Sequence, residues 1–347
     1  MGSFAGRGLL LLAALAAALL ALAFRFGTAD TWWVELVRYV PYPAWLAPAL
    51  LAFLLSWAFG WRWRLLGTAT LALVLGPVMG LSLGLDRTEP LEAGLRQPLR
   101  VMTYNVKTYR AVERDDGYER LADEIRRAAP DLLLLQDGPH LNRRLDPAMR
   151  EALRPFHWQG YGQYVIASRH PLQDCRVGDL SAAGAPAWPY LRCTVTVGTQ
   201  AITVVNVHTL TPREGLNATR SERLDGLGDW RENFAVRMAQ ARKLADDVAL
   251  LPRPLIVAGD LNATQASPVV QTLLAEGLRD AYSTAGRGWG FTVGHALRPH
   301  LSFLRIDHIL VSAELGVTDA RVGSRWASEH RPVVADLLVP GSAAPAP

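Results

Sequence analysis

The chain is 347 residues long; 50% of it is apolar, and 36 basic against 32 acidic side chains give a formal net charge of +4. That length admits one large domain or two smaller ones, and the apolar share supports a sizeable core. Seven arginines and five acids lie before residue 98, leaving 29 basic and 27 acidic residues and a net of +2 beyond it, which excludes recognition of a polyanion by bulk charge.

The apolar residues are concentrated at the amino end. Residues 9–24, 44–61 and 65–85 are apolar runs without an ionisable side chain. Crossing a bilayer takes about 20 such residues, with a lower limit near 17. We read three membrane helices, with Trp32, Trp33, Tyr39, Tyr42, Trp45, Trp57, Trp61 and Trp63 at their ends as an interfacial belt. Ala21-Leu22-Ala23 has the form of a signal cleavage site, but two further runs favour an uncleaved, multi-pass anchor in the cell membrane. Arg7, Arg62 and Arg64 favour a cytoplasmic amino terminus and Arg25 and Arg38 oppose it. The first choice puts everything after the third span outside the cytoplasm.

Residues 86–98 are a polar linker. Beyond it, residues 99–105, 131–136, 164–168, 193–197, 202–208, 255–258, 304–311 and 333–338 read as strands; residues 118–129, 235–251 and 268–276 read as helices. Residues 211–230, rich in charge and glycine, read as a long loop in which Arg213, Arg220 and Arg223 are solvated, and residues 341–347 as a disordered tail. Cys175 and Cys193 are too few for a metal cluster; they either pair across a hairpin or remain two buried thiols.

Several strands end in chemically useful groups. Leu255 to Ala258 is a buried-strand pattern that stops at Gly259, and the glycine lets Asp260 and Asn262 point to one side of the sheet edge. Asn105 ends Met-Thr-Tyr-Asn, Gln136 and Asp137 end a run of four leucines, and His208 ends Val-Val-Asn-Val-His. Asp307 sits in Arg-Ile-Asp-His, and Glu329 and His330 in Ser-Glu-His-Arg-Pro. Each has a bland reading alone, as a turn or solvated residue; together they supply the ligands and bases of metal-assisted ester hydrolysis. Histidine is the side chain that deprotonates water near neutral pH, and an acid on its other ring nitrogen fixes the tautomer. His308 should leave the opposite face of its strand and pack. Trp289 and Phe291 either line a pocket mouth or pack in the core.

In order and wording these segments, across residues 99–339, resemble the endonuclease/exonuclease/phosphatase superfamily. The resemblance implies a four-layer α/β sandwich, two packed mixed sheets flanked by helices, here preceded by the three membrane helices. It further implies Asn105 and Asp137 as ligands of a divalent metal, magnesium with manganese the alternative. Glu329 joins them because it stands where the family usually has Asp; Asp137 stands where the family usually has Glu. Asp260 and Asn262 would position water and phosphate, His208 would contact the phosphate or leaving oxygen, and His330 would be the general base, oriented by Asp307. Residues 162–171, with Ser168-Arg169 ending a strand, match a further structural landmark of the family.

The expected division is an anchor at 1–85, a linker at 86–98, a catalytic domain at 99–340 and a tail at 341–347. The expected activity is that of a membrane-tethered, metal-dependent phosphoesterase whose partners are the bilayer and a phosphorylated, lipid-linked substrate, in preference to nucleic acid. The alternatives are an extracytoplasmic nuclease or nucleotide phosphatase, and a non-catalytic binding module on the same fold.

Overall fold

The computed structural model describes residues 2–89, 96–139, 141, 145–181, 187–222, 224–296 and 301–341; Arg223 and residues 342–347 of the expected tail lie outside the described residues. The chain forms two compact units.

The first unit takes Met1–Leu81 together with Pro212–Ala235 and Thr264–Pro268. Its longest wholly contained helix, Gly2–Phe26, is the one helix among the described residues long and apolar enough by itself to cross a membrane. Leu11, Leu12, Leu15, Leu19 and Leu22 on it are exposed. The expectation of three spans is corrected here. The second run forms a 14-residue helix, Pro43–Ser56, rising only about 21 Å against a hydrocarbon core of about 30 Å. It passes the length test only when joined to Trp32–Arg38 across a 79° bend. The third run is helical only to Leu73, then widens into a π-turn, Val74–Val78, containing Pro77, as expected where a proline removes a helical donor.

Arg38, weighed above as a topology signal, is fully buried. It pairs with Glu35 at 3.1 Å and donates to the Phe24 carbonyl at the end of the first helix. Glu35 also accepts from Ser267 Oγ at 2.8 Å. Residues 211–230 are not a loop: Arg213–Ser221 is a helix carrying Arg213 and Arg220, and a second, Leu227–Ala249, begins within the stretch. Trp230 explains the order there. Its indole is fully buried, edge-on to Tyr39, and donates to the Trp32 carbonyl at 2.9 Å.

The second unit is built on twelve strands: β1 (Arg96–Asn105), β2 (Leu132–Gln136), β3 (His157–Tyr161), β4 (Tyr164–Ser168), β5 (Leu172–Asp179), β6 (Pro189–Val197), β7 (Gln200–His208), β8 (Leu255–Asp260), β9 (Leu278–Asp280), β10 (Asp307–Ser312), β11 (Gly316–Val322) and β12 (Val333–Pro340). They form two six-stranded sheets, β11-β12-β1-β2-β4-β3 and β5-β6-β7-β8-β10-β9, each mixed through one parallel pair, β1–β2 and β7–β8. Helices flank the sheets. Gly117–Ala128 and Pro147–Leu153 cover the first with Leu121, Ile125 and Met149 against Met102, Tyr104 and Leu133. Strands β3, β5, β9 and β11 were not anticipated; the first two are half exposed and carry no clean apolar alternation. Cys175 and Cys193 form a disulfide across β5 and β6.

The core lies between the sheets, and its period of two positions the site. Val101, Leu132 and Leu134 of one sheet meet Ile202, Val204, Ile256, Ala258, Ile309 and Val311 of the other. Continuing each alternation toward the strand end places Thr103 and Asn105, Gln136, Asn206 and His208, Asp260, and Asp307 on that same inner face. A polar bridge replaces the apolar core there: Gln136 Nε2 donates to Thr103 Oγ1 at 3.0 Å and to Asn206 Oδ1 at 2.7 Å, and Asn206 Nδ2 donates to the Leu135 and Val165 carbonyls at 2.9 Å.

Candidate active site

Strand register collects the polar ends. His208 pairs with Asp260 in the parallel β7–β8 ladder, and Asp307 pairs with Asp260 in the antiparallel β8–β10 ladder, so three functional groups stand abreast. Asn105 pairs with Gln136 across β1–β2, and Asp137 follows immediately. The backbone at Gly259 is needed for this: a Cβ there would meet the Val207 carbonyl oxygen at 1.8 Å. Lys107, Asp137 and Asn262, all at the mouth, hold positive φ angles of 45°, 53° and 47°, a strained conformation for such residues that concentrates at functional sites.

Asp260 is the hub. Its Oδ2 accepts from Asn105 Nδ2 at 2.9 Å and lies 3.4 Å from His208 Nε2 and 3.8 Å from His330 Nε2; its Oδ1 accepts from the Asn262 amide at 2.9 Å. His330 Nδ1 donates to Asp307, 2.9 and 3.1 Å from the two oxygens. That bond fixes the tautomer, so Nε2 carries the lone pair and faces the hub. Burial lowers the His330 imidazole to about 4 and raises the Asp307 carboxyl to about 6, against a lowering hydrogen bond from Thr292. Both shifts favour neutral forms in a dry pocket, and a neutral imidazole is one able to accept a proton.

The opposite wall is formed by Asp137. Burial would raise its carboxyl, but the charges of His208, 3.7 Å away, and Lys107, donating at 2.7 Å, hold it below the ordinary range. His208 Nδ1 is 2.7 Å from Gln163 Oε1. Asn262 spends its amide on the Thr209 carbonyl at 2.9 Å, which orients its backbone more than it offers a donor to a ligand.

The structure thus brings Asn105, Asp137, His208, Asp260, Asn262, Asp307 and His330 together. Glu329 is the exception: its carboxylate turns to Arg110 Nε, 3.5 Å away, and it is absent from the buried trio Asp260, Asp307 and His330 whose ligand atoms all lie within 4.8 Å of one another. Glu329 and His330 lie in the bend before β12, where no strand period sets which side chain faces inward. Lys107 and Gln163 were missed. The one lies past a strand end and the other in the turn after Tyr161, and neither position announces an inward side chain.

Two mixed sheets whose strand ends gather acids, amides and an acid-bonded histidine in one mouth are the architecture of a hydrolase. The chain belongs to the endonuclease/exonuclease/phosphatase family, whose description matches residues 102–330. It is similar to a family member from Bacteroides vulgatus (19% identity, TM-score 0.54, covering 70% of this chain and 98% of that one). It is also similar to a humanised D. rerio TDP2 carrying 14 mutations (17%, 0.52, 69% and 98%) and to a member from Beutenbergia cavernae DSM 12333 (23%, 0.50, 71% and 72%). At these identities the likeness speaks to the fold. No curated protein matches the chain.

Proposed function

We propose that the chain is a membrane-tethered, divalent-metal-dependent phosphoesterase that hydrolyses a phosphate ester by attack of a water activated by His330, with a lipid-linked phosphate as substrate class. The observation that carries this reading is the Asp307–His330 pair at 2.9 Å with Nε2 turned to Asp260. His330 takes the proton of the attacking water; Asp307 keeps the imidazole in the accepting tautomer and lies against the imidazolium that forms. His208, held by Gln163, lies opposite to donate toward a phosphoryl or leaving oxygen.

The donor set fits a hard cation: Asp137 and Asn105 would hold magnesium or manganese through oxygen, with Asp260 adjoining. The Lys107 ammonium sits on Asp137 at 2.7 Å and would have to give up that oxygen for the ion to bind it. Bound there, the ion supplies charge that offsets the phosphoryl oxygens. The exposed leucines on helix Gly2–Phe26 support a tether, and the Cys175–Cys193 disulfide supports placing the site on the oxidising, extracytoplasmic side.

The test offers the full chain, purified in detergent, a polyprenyl diphosphate, a phospholipid, an inositol phosphate, a nucleotide and DNA, each with magnesium and with chelator. Chelator-sensitive release from the lipid-linked class alone is expected. Release from DNA or nucleotide instead would replace the substrate class, and release from none would favour the binding module.

A further inference from the structure

A cavity of about 570 Å³ in the second unit has no part in this chemistry. Arg287, Arg321, Arg325 and Arg331 line it, and Asp319 is the one acid among its described lining residues. Arg321 is spoken for, 3.4 Å from Asp319 and 3.1 Å from Asp336. Arg331 is different. Among the described residues its guanidinium donates to backbone carbonyls, Nε to Gly323 at 2.8 Å and Nη1 to Phe291 at 3.3 Å, and makes no ion pair, with the Glu124 carboxylate acting on it only through space. Exposed Arg287 has no ion pair among the described residues. Beside these arginines Trp289 and Phe291 stack at 5.9 Å with 9° between their planes, a flat apolar wall.

Like charges gathered in a concave, partly desolvated space repel one another, and a site of that kind is stable in proportion to the anion it takes up. Guanidinium forks match the paired oxygens of a phosphate. We propose that this cavity is a second oxyanion site, separate from the catalytic mouth, which binds a phosphate-bearing ligand whose apolar or planar part lies on the Trp289–Phe291 wall. The two sites share backbone: Arg331 follows His330, its amide donates to the Thr292 carbonyl at 2.9 Å, and the Thr292 side chain bonds to Asp307. A ligand here therefore touches the segment that carries the general base.

Inorganic pyrophosphate is the probe, titrated calorimetrically into the full chain in detergent with chelator present, so that binding is read without turnover. Each charged fork is worth about tenfold in affinity. Arg287→Glu, on an exposed side chain, should weaken binding by about that factor or more, and Arg287→Gln with Arg325→Gln should do so at an unchanged melting temperature. Asp260→Asn, at the hub of the catalytic mouth, should leave it within about twofold. Retained affinity in the arginine variants, loss confined to Asp260→Asn, or no binding to the parent chain would each overturn the proposal. None of these outcomes depends on whether the chain hydrolyses anything, so failure here is distinct from failure of the phosphoesterase reading.

Discussion

Asp307 and His308 leave opposite faces of β10, and each is half of an aspartate–histidine pair. On the inner face, Asp307 holds His330 at 2.9 Å, and His330 Nε2 makes no hydrogen bond among the described residues. On the outer face, His308 Nδ1 is 2.7 Å from Asp280 Oδ2 and its Nε2 is 2.9 Å from the Ala263 carbonyl, so both ring nitrogens are engaged. Asp280 also receives Arg305 at 2.8 Å and the Ser283 amide at 2.8 Å. Burial alone would raise the Asp280 carboxyl; Arg305 and His308 overcome that and hold it far below the ordinary range. Among the described residues no guanidinium pairs with Asp307, and its carboxyl moves the other way. An aspartate beside a histidine is therefore no signature of catalysis. The outer pair has both ring nitrogens engaged and a fixed cation on its acid, whereas the inner imidazole keeps one nitrogen turned to a mouth.

The comparison breaks if exchanging the residues exchanges the outcomes. His330→Ala should lower turnover per folded molecule by about 10² to 10⁴ fold, the range for a general base. Asp280→Ala should instead cost about 3–5 kcal/mol of stability by leaving Arg305 buried and uncompensated, read by denaturant unfolding, while turnover per folded molecule holds. A His330→Ala enzyme at full rate would remove the assigned base. An Asp280→Ala protein that is stable but inactive would move the active pair to the outer face.

The two pairs also part with pH. Asp307 must be ionised to orient His330, so turnover should fall as pH drops through about 6. Asp280 is depressed relative to an unfolded value near 4, so its stabilisation is complete above pH ~4 and is lost only as pH falls from there toward its folded value. Asp307, raised, adds stability as pH falls through about 6, and His330, lowered to about 4, loses it between about 6.5 and 4; these two contributions oppose each other. Between pH 6 and 4 the expected state is folded and inactive, measured by rate and circular dichroism on the same samples. Unfolding that tracks the loss of rate would mean the two pairs titrate as one.

Most of the polar mouth was legible because its side chains obey the same alternation as the core. Ile256, Ala258, Asp260 and Ile202, Val204, Asn206, His208 are single inward-facing series in which only the chemistry changes at the end. The glycine at 259 marks the close approach of the Val207 carbonyl within the sheet. What could not be read is what alternation does not govern: Lys107, reached through a left-handed backbone, the hairpin residue Gln163, and the partnership of Asp280 with residues far along the chain. The amino end was misread for a related reason. An apolar run records hydrophobicity but not where a helix stops, so Ser56 and Leu73 end helices that composition alone would continue. Trp230 and Ser267, which serve the first unit, sit in segments that read as parts of the second.

The smallest predicted effect is the most specific to the inner face. Glu329 pairs with Arg110 near solvent, the two side chains 21% and 46% exposed; an exposed pair of this kind is worth about 0–1 kcal/mol. Glu329→Gln should therefore change magnesium affinity, measured by calorimetry, by less than about threefold. Asp137→Asn, which removes the charge facing Lys107 and His208, should weaken the same affinity by far more. If Glu329→Gln weakened metal as strongly as Asp137→Asn, the carboxylate would have to swing from Arg110 into the mouth when the ion binds. The buried trio of Asp260, Asp307 and His330 would then be only part of the acid set. If neither substitution mattered, the cation would rest on that trio itself, with His330 as a ligand in place of a base, and the rate lost in His330→Ala would be recovered by raising the metal concentration.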